Sequence, residues 1–218
     1  MNNATQRAAL ATMFLLAMAL PCAAAPSDAS PEPADAGWIL ARLKRPSPTR
    51  TDFVELRGSP LLKAPLRIEG EYKRPTDDTL VREVHAPYAE TTTIRGGEVS
   101  IARGGKARKF SLSRAPELQG LQASFGAMLA GDRVQLERFY RIEASGTRQQ
   151  WSLRLAPKDK ALAAKVQDIV LLGRGAELRC IETRPVKGDL QRTLLAGAAR
   201  SATGVTDAAA LAKLCRPQ

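Results

Sequence analysis

Residues 66–75 read Leu-Arg-Ile-Glu-Gly-Glu-Tyr-Lys-Arg-Pro. Leu66, Ile68, Gly70 and Tyr72 fall on one parity, and Arg67, Glu69, Glu71 and Lys73 on the other. Successive side chains of an extended chain point to opposite faces. The alternation therefore predicts a half-buried antiparallel strand with one oily and one wetted face, ended by Pro75, which has no N–H for the ladder. The oily face has to meet something apolar, and other side chains or a lipid would leave the same alternation.

The same period continues on either side. Candidate strands are Thr51–Arg57, Leu66–Lys73, Thr79–His85, Ala89–Arg95, Glu98–Ala102 and Lys106–Ser113, divided by turn residues such as Gly58-Ser59-Pro60, Ala86-Pro87, Gly96-Gly97 and Gly104-Gly105. Connections this short join antiparallel neighbours. The period then changes: between Glu117 and Leu129, residues Leu118, Leu121, Phe125, Met128 and Leu129 recur at helical spacing on one stripe, which Gly131 ends. Strands resume at Leu136–Ala144, Gln150–Ala156, Val166–Leu172, Glu177–Thr183 and Leu190–Ala196, with a helical turn expected over Lys158–Ala164. Trp38, Leu40 and Leu43 mark a short helix before the first strand, and Thr206 and Asp207 cap a last one through Leu214.

The beginning of the chain reads as an address. Residues 1–24 carry a single basic residue, Arg7, then an apolar run from Ala8 to Leu20 and small residues, with no acidic group: a secretory signal peptide. Cys22-Ala23-Ala24 is the expected recognition triplet, and Pro21 argues against a lipid-anchoring cysteine at Cys22. The apolar run is too short to span a bilayer permanently. Residues 25–36 are rich in Pro, Ala, Ser and Asp and read as a disordered leader, followed by one domain over residues 37–218. Without the signal, Cys180 and Cys215 remain, an even pair that predicts a disulfide in an oxidising compartment. A metal site joining both thiols to His85, the only histidine, lacks any metal-type spacing, so no metal is expected.

Composition narrows the partners. Lys plus Arg number 33 against 22 Asp plus Glu, a net charge of +11 that falls to +10 once Arg7 is removed. In an exported protein such a charge points to anionic headgroups or an acidic protein surface rather than nucleic acid, unless it only solvates the outer face of the strands. Catalysis is not expected, since the chain has one histidine at a strand end, no Gly-x-Ser-x-Gly elbow and no clustered carboxylates, and no cofactor motif is present.

About eleven antiparallel strands interrupted by one amphipathic helix place the domain in the mainly β, α+β class, and a sheet of that many strands curls. The inserted helix is then either a lid over the concave face or a permanent part of the core. Ten aromatic residues, nine without Phe14 of the signal, are few to fill a wide interior, which favours the lid.

Several stretches resemble the LolA-like periplasmic carriers of outer-membrane lipoproteins. They are Glu69 to Pro75 after a signal and a short helix, Pro87 followed by a polar strand and a Gly-Gly turn, Trp151 to Lys158, Ile169 to Gly173 and Glu177 to Glu182. The resemblance runs from Ala36 to Leu195; the cysteine pair and the Ala-rich tail depart from it. It implies a half-open, strongly curved antiparallel β-barrel with a helical lid, whose cavity receives acyl chains of lipoproteins or other lipids. It also implies an inner-membrane exporter as donor, an outer-membrane acceptor and action as a monomer. Arg74 matches the arginine that helps hold the lid closed and hand cargo onward. On this view Leu118, Leu121, Phe125 and Met128 form the lid stripe, facing Ile68, Tyr72, Leu80, Val84, Phe110, Leu112, Trp151 and Leu153; taken singly, each position also fits plain core. A lipid sensor of the same fold, or a carrier of glycolipids or pigment lipids for an exporter, is the alternative function.

Overall fold

The computed structural model describes residues 31–57, 66–114 and 126–216 of the 218-residue chain. Eleven antiparallel strands form one sheet: β1 (Thr49–Arg57), β2 (Leu66–Arg74), β3 (Thr79–Ala86), β4 (Glu90–Arg95), β5 (Glu98–Arg103), β6 (Lys106–Ser111), β7 (Tyr140–Gly146), β8 (Trp151–Pro157), β9 (Val166–Arg174), β10 (Glu177–Pro185) and β11 (Gln191–Leu195). Their order is β6-β5-β4-β3-β2-β1-β11-β10-β9-β8-β7. The only neighbours not consecutive in sequence are β1 and β11, which join the two halves through pairs such as Phe53 with Leu195. β6 and β7 are both edges, so the curved sheet is not closed. Gly96-Gly97 and Gly104-Gly105 all have positive φ, the backbone that two-residue hairpin turns demand.

Both faces are covered, by different helices. Against the inner face of β8 and β9, helix α1 (Ala36–Leu43) and helical residues 126–130 (α2) pack Ile39, Leu40, Leu43 and Met128 onto Trp151, Leu153 and Leu171. α1 is capped by the Asp35 carboxylate, which accepts from Trp38 N at 2.9 Å and is held below the usual carboxylate range by that bond. A single turn, α4 (Lys160–Ala163), follows β8, and on the outer face α5 (Ala196–Ser201) and α6 (Ala208–Cys215) cover Val54, Leu56, Leu172 and Leu194. Cys180 of β10 is bonded to Cys215 of α6 with their Cα atoms 5.2 Å apart, as the cysteine count predicts. β1 is thereby buried on both faces through Phe53, Val54, Glu55 and Leu56.

Several boundaries depart from the sequence reading. The strand expected over Leu136–Ala144 starts only at Tyr140, because Asp132 accepts from Gln135 N at 2.9 Å and caps helix α3 (Arg133–Phe139). The strand expected to Ser113 stops at Ser111; a 3-10 turn, Leu112–Arg114, follows, and Leu112 N–H bonds Gly97 O at 2.8 Å. The strand expected to reach Ala196 ends at Leu195, since Ala196 with φ of 48° turns the chain into α5. The leader expected to be disordered through residue 36 is paired in its last residues. Ala34 N–H bonds Gly146 O at 3.0 Å and Arg148 N–H bonds Glu32 O at 2.9 Å, so backbone partners on the β7–β8 turn override an unpromising composition.

Candidate functional site

Between the inner face of the central strands and the helices lies a cavity of about 290 Å³. Its apolar lining comes from Leu43, Tyr72, Leu80, Met128, Leu129, Leu178, Ile181 and Leu195, with Thr49, Thr51, Arg45, Arg74 and Glu177 among the polar groups. Such a volume is at the low end of small-molecule sites, roughly 300–1,000 Å³. The lining follows from register. Inner positions of β2 alternate as Ile68, Gly70, Tyr72 and Arg74, and they pair with Glu55, Phe53, Thr51 and Thr49 of β1. The phenol ring of Tyr72 lies 4.8 Å from that of Phe53, and burial pushes its hydroxyl above the ordinary tyrosine range.

One corner of the cavity is held by arginine. Arg74, only 8% exposed, donates from Nη1 to Arg45 O at 2.8 Å and pairs through Nη2 with Asp77 at 2.8 Å. Arg45 is itself a junction. Its N–H bonds Leu129 O at the end of α2 at 3.0 Å, and its guanidinium reaches Arg42 O, Lys44 O and Ala176 O, the last at 3.0 Å. The end of β2, the exit from α1, the end of α2 and the β9–β10 turn are thus tied together at one residue.

The structure distributes the expected cavity residues unequally. Tyr72, Leu80 and Met128 line the cavity. Ile68 and Val84 lie fully buried with Phe53 on the same face, beyond the cavity wall. Trp151 and Leu153 are buried under α1, with Trp151 Nε1 donating to Gly175 O at 2.9 Å and its ring seated on Gly173, where a Cβ would lie 2.0 Å away. Phe110 and Leu112 join Ile94 and Val99 in a separate cluster on the outer strands. Leu118, Leu121 and Phe125 lie outside the described residues. Arg45, Leu43, Leu178, Ile181 and Leu195 also line it, beyond the residues expected from sequence; the inner parity of Ile181 and Leu195 becomes legible only once β11 is known to join β1.

The outer face carries the one group of three metal-type ligands found among the described residues, Glu71, Glu83 and His85. Lys73 already answers its charge, pairing with Glu71 at 3.3 Å and more closely with Glu83. The bond to Glu83 holds the lysine above its ordinary range and the Glu83 carboxyl below it. His85 is half exposed beside Glu83 on this face, opposite the cavity.

A family model for outer-membrane lipoprotein carrier proteins of the LolA-like type matches residues 28–218. The chain belongs to the LolA-like family. Among solved structures, this LolA-like chain is similar to a LolA superfamily protein, NE2245, from Nitrosomonas europaea, at 15% identity and a TM-score of 0.38 over 73% of this chain and 76% of that one. It is also similar to LprF from Mycobacterium bovis, at 13% identity and a TM-score of 0.32 over 76% of this chain and 94% of that one. No curated protein sequence matches it. Membership implies lipid or lipoprotein binding in a carrier role, and the disulfide fits a protein outside the cytoplasm.

Proposed function

We propose that this LolA-like protein is a periplasmic carrier that takes acyl chains of lipoproteins or other lipids into the inner-face cavity and conveys them toward the outer membrane. The observation that carries the proposal is the apolar cavity between the central strands and the α1–α2 cover, with the Arg74–Arg45 contact at its edge. A carrier is needed on simple grounds. At about 0.8 kcal/mol per CH2, exposing a sixteen-carbon chain to water costs on the order of 12 kcal/mol. An aqueous compartment can be crossed only if the chain travels inside something apolar.

Release has to be as feasible as capture. A cover whose apolar side chains occupy the cavity in the empty protein competes with the cargo and limits its affinity. Met128 and Leu129 of α2 are placed for this, and methionine adapts to irregular cargo. We place Leu118, Leu121 and Phe125 on the same lid stripe, with Arg74 as the residue that couples lid position to transfer. The partners on this reading are an inner-membrane exporter and an outer-membrane acceptor, the protein acts as a monomer, and no catalytic step is involved. Titration of the purified protein with a fluorescent fatty-acyl probe, in competition with a lipidated peptide, tests it: saturable binding that the peptide displaces is expected, and absence of probe uptake overturns it.

A further inference from the structure

The inner face is not apolar throughout. Beyond the Phe53–Tyr72 pair it carries a built cluster of charge. Glu55 of β1 is 4% exposed, and its Oε1 accepts from Arg57 Nη2 at 2.7 Å and Nε at 3.1 Å, while its Oε2 accepts from Arg82 Nη2 at 3.2 Å. Arg82 pairs across the strands with Tyr72 and lies over the Phe53 ring, 4.7 Å from its centroid. On the neighbouring strands Arg103 sits 3.7 Å above the Tyr88 ring and 3.7 Å from Glu90.

Two features make this cluster unlike a solvated surface network. One carboxylate serves two guanidiniums, so the Glu55, Arg57 and Arg82 group keeps a net positive charge beside an apolar cavity. Burying Glu55 also costs free energy that a hydrophobic residue in its place would not, a cost that does not suit a purely apolar sheath. What Glu55 provides is orientation: it fixes two planar, five-donor groups that remain in part accessible, with side-chain exposures of 47% for Arg57 and 20% for Arg82. Paired guanidiniums held in this way match the oxygens of a phosphate or carboxylate.

We propose that the inner face selects anionic amphiphiles, with the acyl chain in the cavity past Tyr72 and the anionic headgroup on Arg57 and Arg82. This rests on the carrier reading and adds to it a cargo chemistry. Tyr72 is the divide, since its ring lines the cavity and its strand neighbour Arg82 opens the charged region.

The test compares lysophosphatidate with the monoacylglycerol of the same chain, which differ only in the phosphate, by calorimetric titration of the full-length protein. The wild type is expected to bind lysophosphatidate about tenfold more tightly at low salt, a preference that shrinks as salt is raised. Glu55→Gln should enlarge the preference by removing the competing carboxylate. The triple substitution Glu55→Gln, Arg57→Gln, Arg82→Gln leaves no charge unpaired and should bring the ratio to about one. Inorganic phosphate separates a headgroup site from a free-anion site, and it is expected to displace neither lipid. Equal wild-type affinities, a ratio unmoved by the triple substitution, or displacement by phosphate would each overturn this inference alone. Binding of neither lipid would remove the carrier reading and this inference with it.

Discussion

Arg74 at the end of β2 donates to the backbone carbonyl of Arg45, 29 residues earlier in the chain, at 2.8 Å. The N–H of that same Arg45 is bound to Leu129 at the end of α2. Arg74 therefore links the Asp77 carboxylate, paired with its Nη2 at 2.8 Å, to a backbone group that positions the cover. Replacing Arg74 by Leu leaves the partly buried Arg45 carbonyl without this donor, a loss of about 0.5–1.5 kcal/mol, the net worth of one hydrogen bond. The expected outcome is a folded protein whose Arg45 amide exchanges faster with solvent and which releases bound probe more quickly. Hydrogen exchange and stopped-flow release measure the two; unchanged values for both would remove Arg74 from the closure.

Gly70 makes a different prediction within the same strand. A Cβ there would lie 1.9 Å from the Glu83 carbonyl oxygen and 3.0 Å from Phe53 Cε1. Backbone on one side and a packed ring on the other leave no room, so Gly70→Ala should destabilise the protein by about 1–3 kcal/mol, the range for overpacked interiors. Urea unfolding of the variant gives the value, and a change within about 0.5 kcal/mol would show that β2 and β3 can separate without cost.

These two residues also show what could be read from sequence. The parity of Leu66 to Lys73 gives the inner and outer faces of β2 correctly, and the Gly-Gly turns give its antiparallel neighbours, because both signals are local. The second half of α3, Leu136–Phe139, falls in the strand expected over Leu136–Ala144, because Leu136, Phe139 and Tyr140 fit a short helix and a strand equally well at that length, and the Asp132 cap decides for the helix. The joining of β1 to β11 and the covering of the outer face by α5 and α6 depend on contacts between distant parts of the chain. Phe53, Val54, Glu55 and Leu56 are all buried, yet Glu55 interrupts the apolar run that would mark a strand covered on both sides. Parity assigned Tyr72, Ile68 and Val84 to one face, but whether a side chain lines space or fills it depends on what lies opposite, which no single strand encodes.

The disulfide lies on the outer face, across the sheet from the cavity. With 35 positions separating Cys180 and Cys215, the chain-entropy relation puts its contribution at roughly 3–4 kcal/mol. The pair of substitutions Cys180→Ala and Cys215→Ala should lower the urea midpoint accordingly and leave probe affinity within about twofold. Affinity falling in proportion to stability would show that α6 and the cavity are coupled through the sheet.

Tyr72 supplies the pH dependence. Burial raises its folded-state ionisation above the ordinary tyrosine value, near 10, which the unfolded chain restores. Its contribution to stability is therefore intact below that ordinary value and is lost as pH rises through the raised folded-state value, because the unfolded state releases the proton first. Urea midpoints of the wild type should fall more steeply above about pH 10 than those of Tyr72→Phe, which has no proton to lose there. Parallel curves would place Tyr72 in water.

A carrier role requires that the space bounded by Tyr72, Leu80, Met128 and Ile181 receive an acyl chain. Native mass spectrometry of the purified protein mixed with a fatty-acyl lipid measures this directly, with Ile181→Trp as the variant that fills the cavity from the β10 side. A wild-type adduct of the mass of the lipid is expected, strongly diminished in Ile181→Trp while the variant remains folded. A wild-type spectrum without adduct, or an adduct equally abundant in the filled variant, would contradict it.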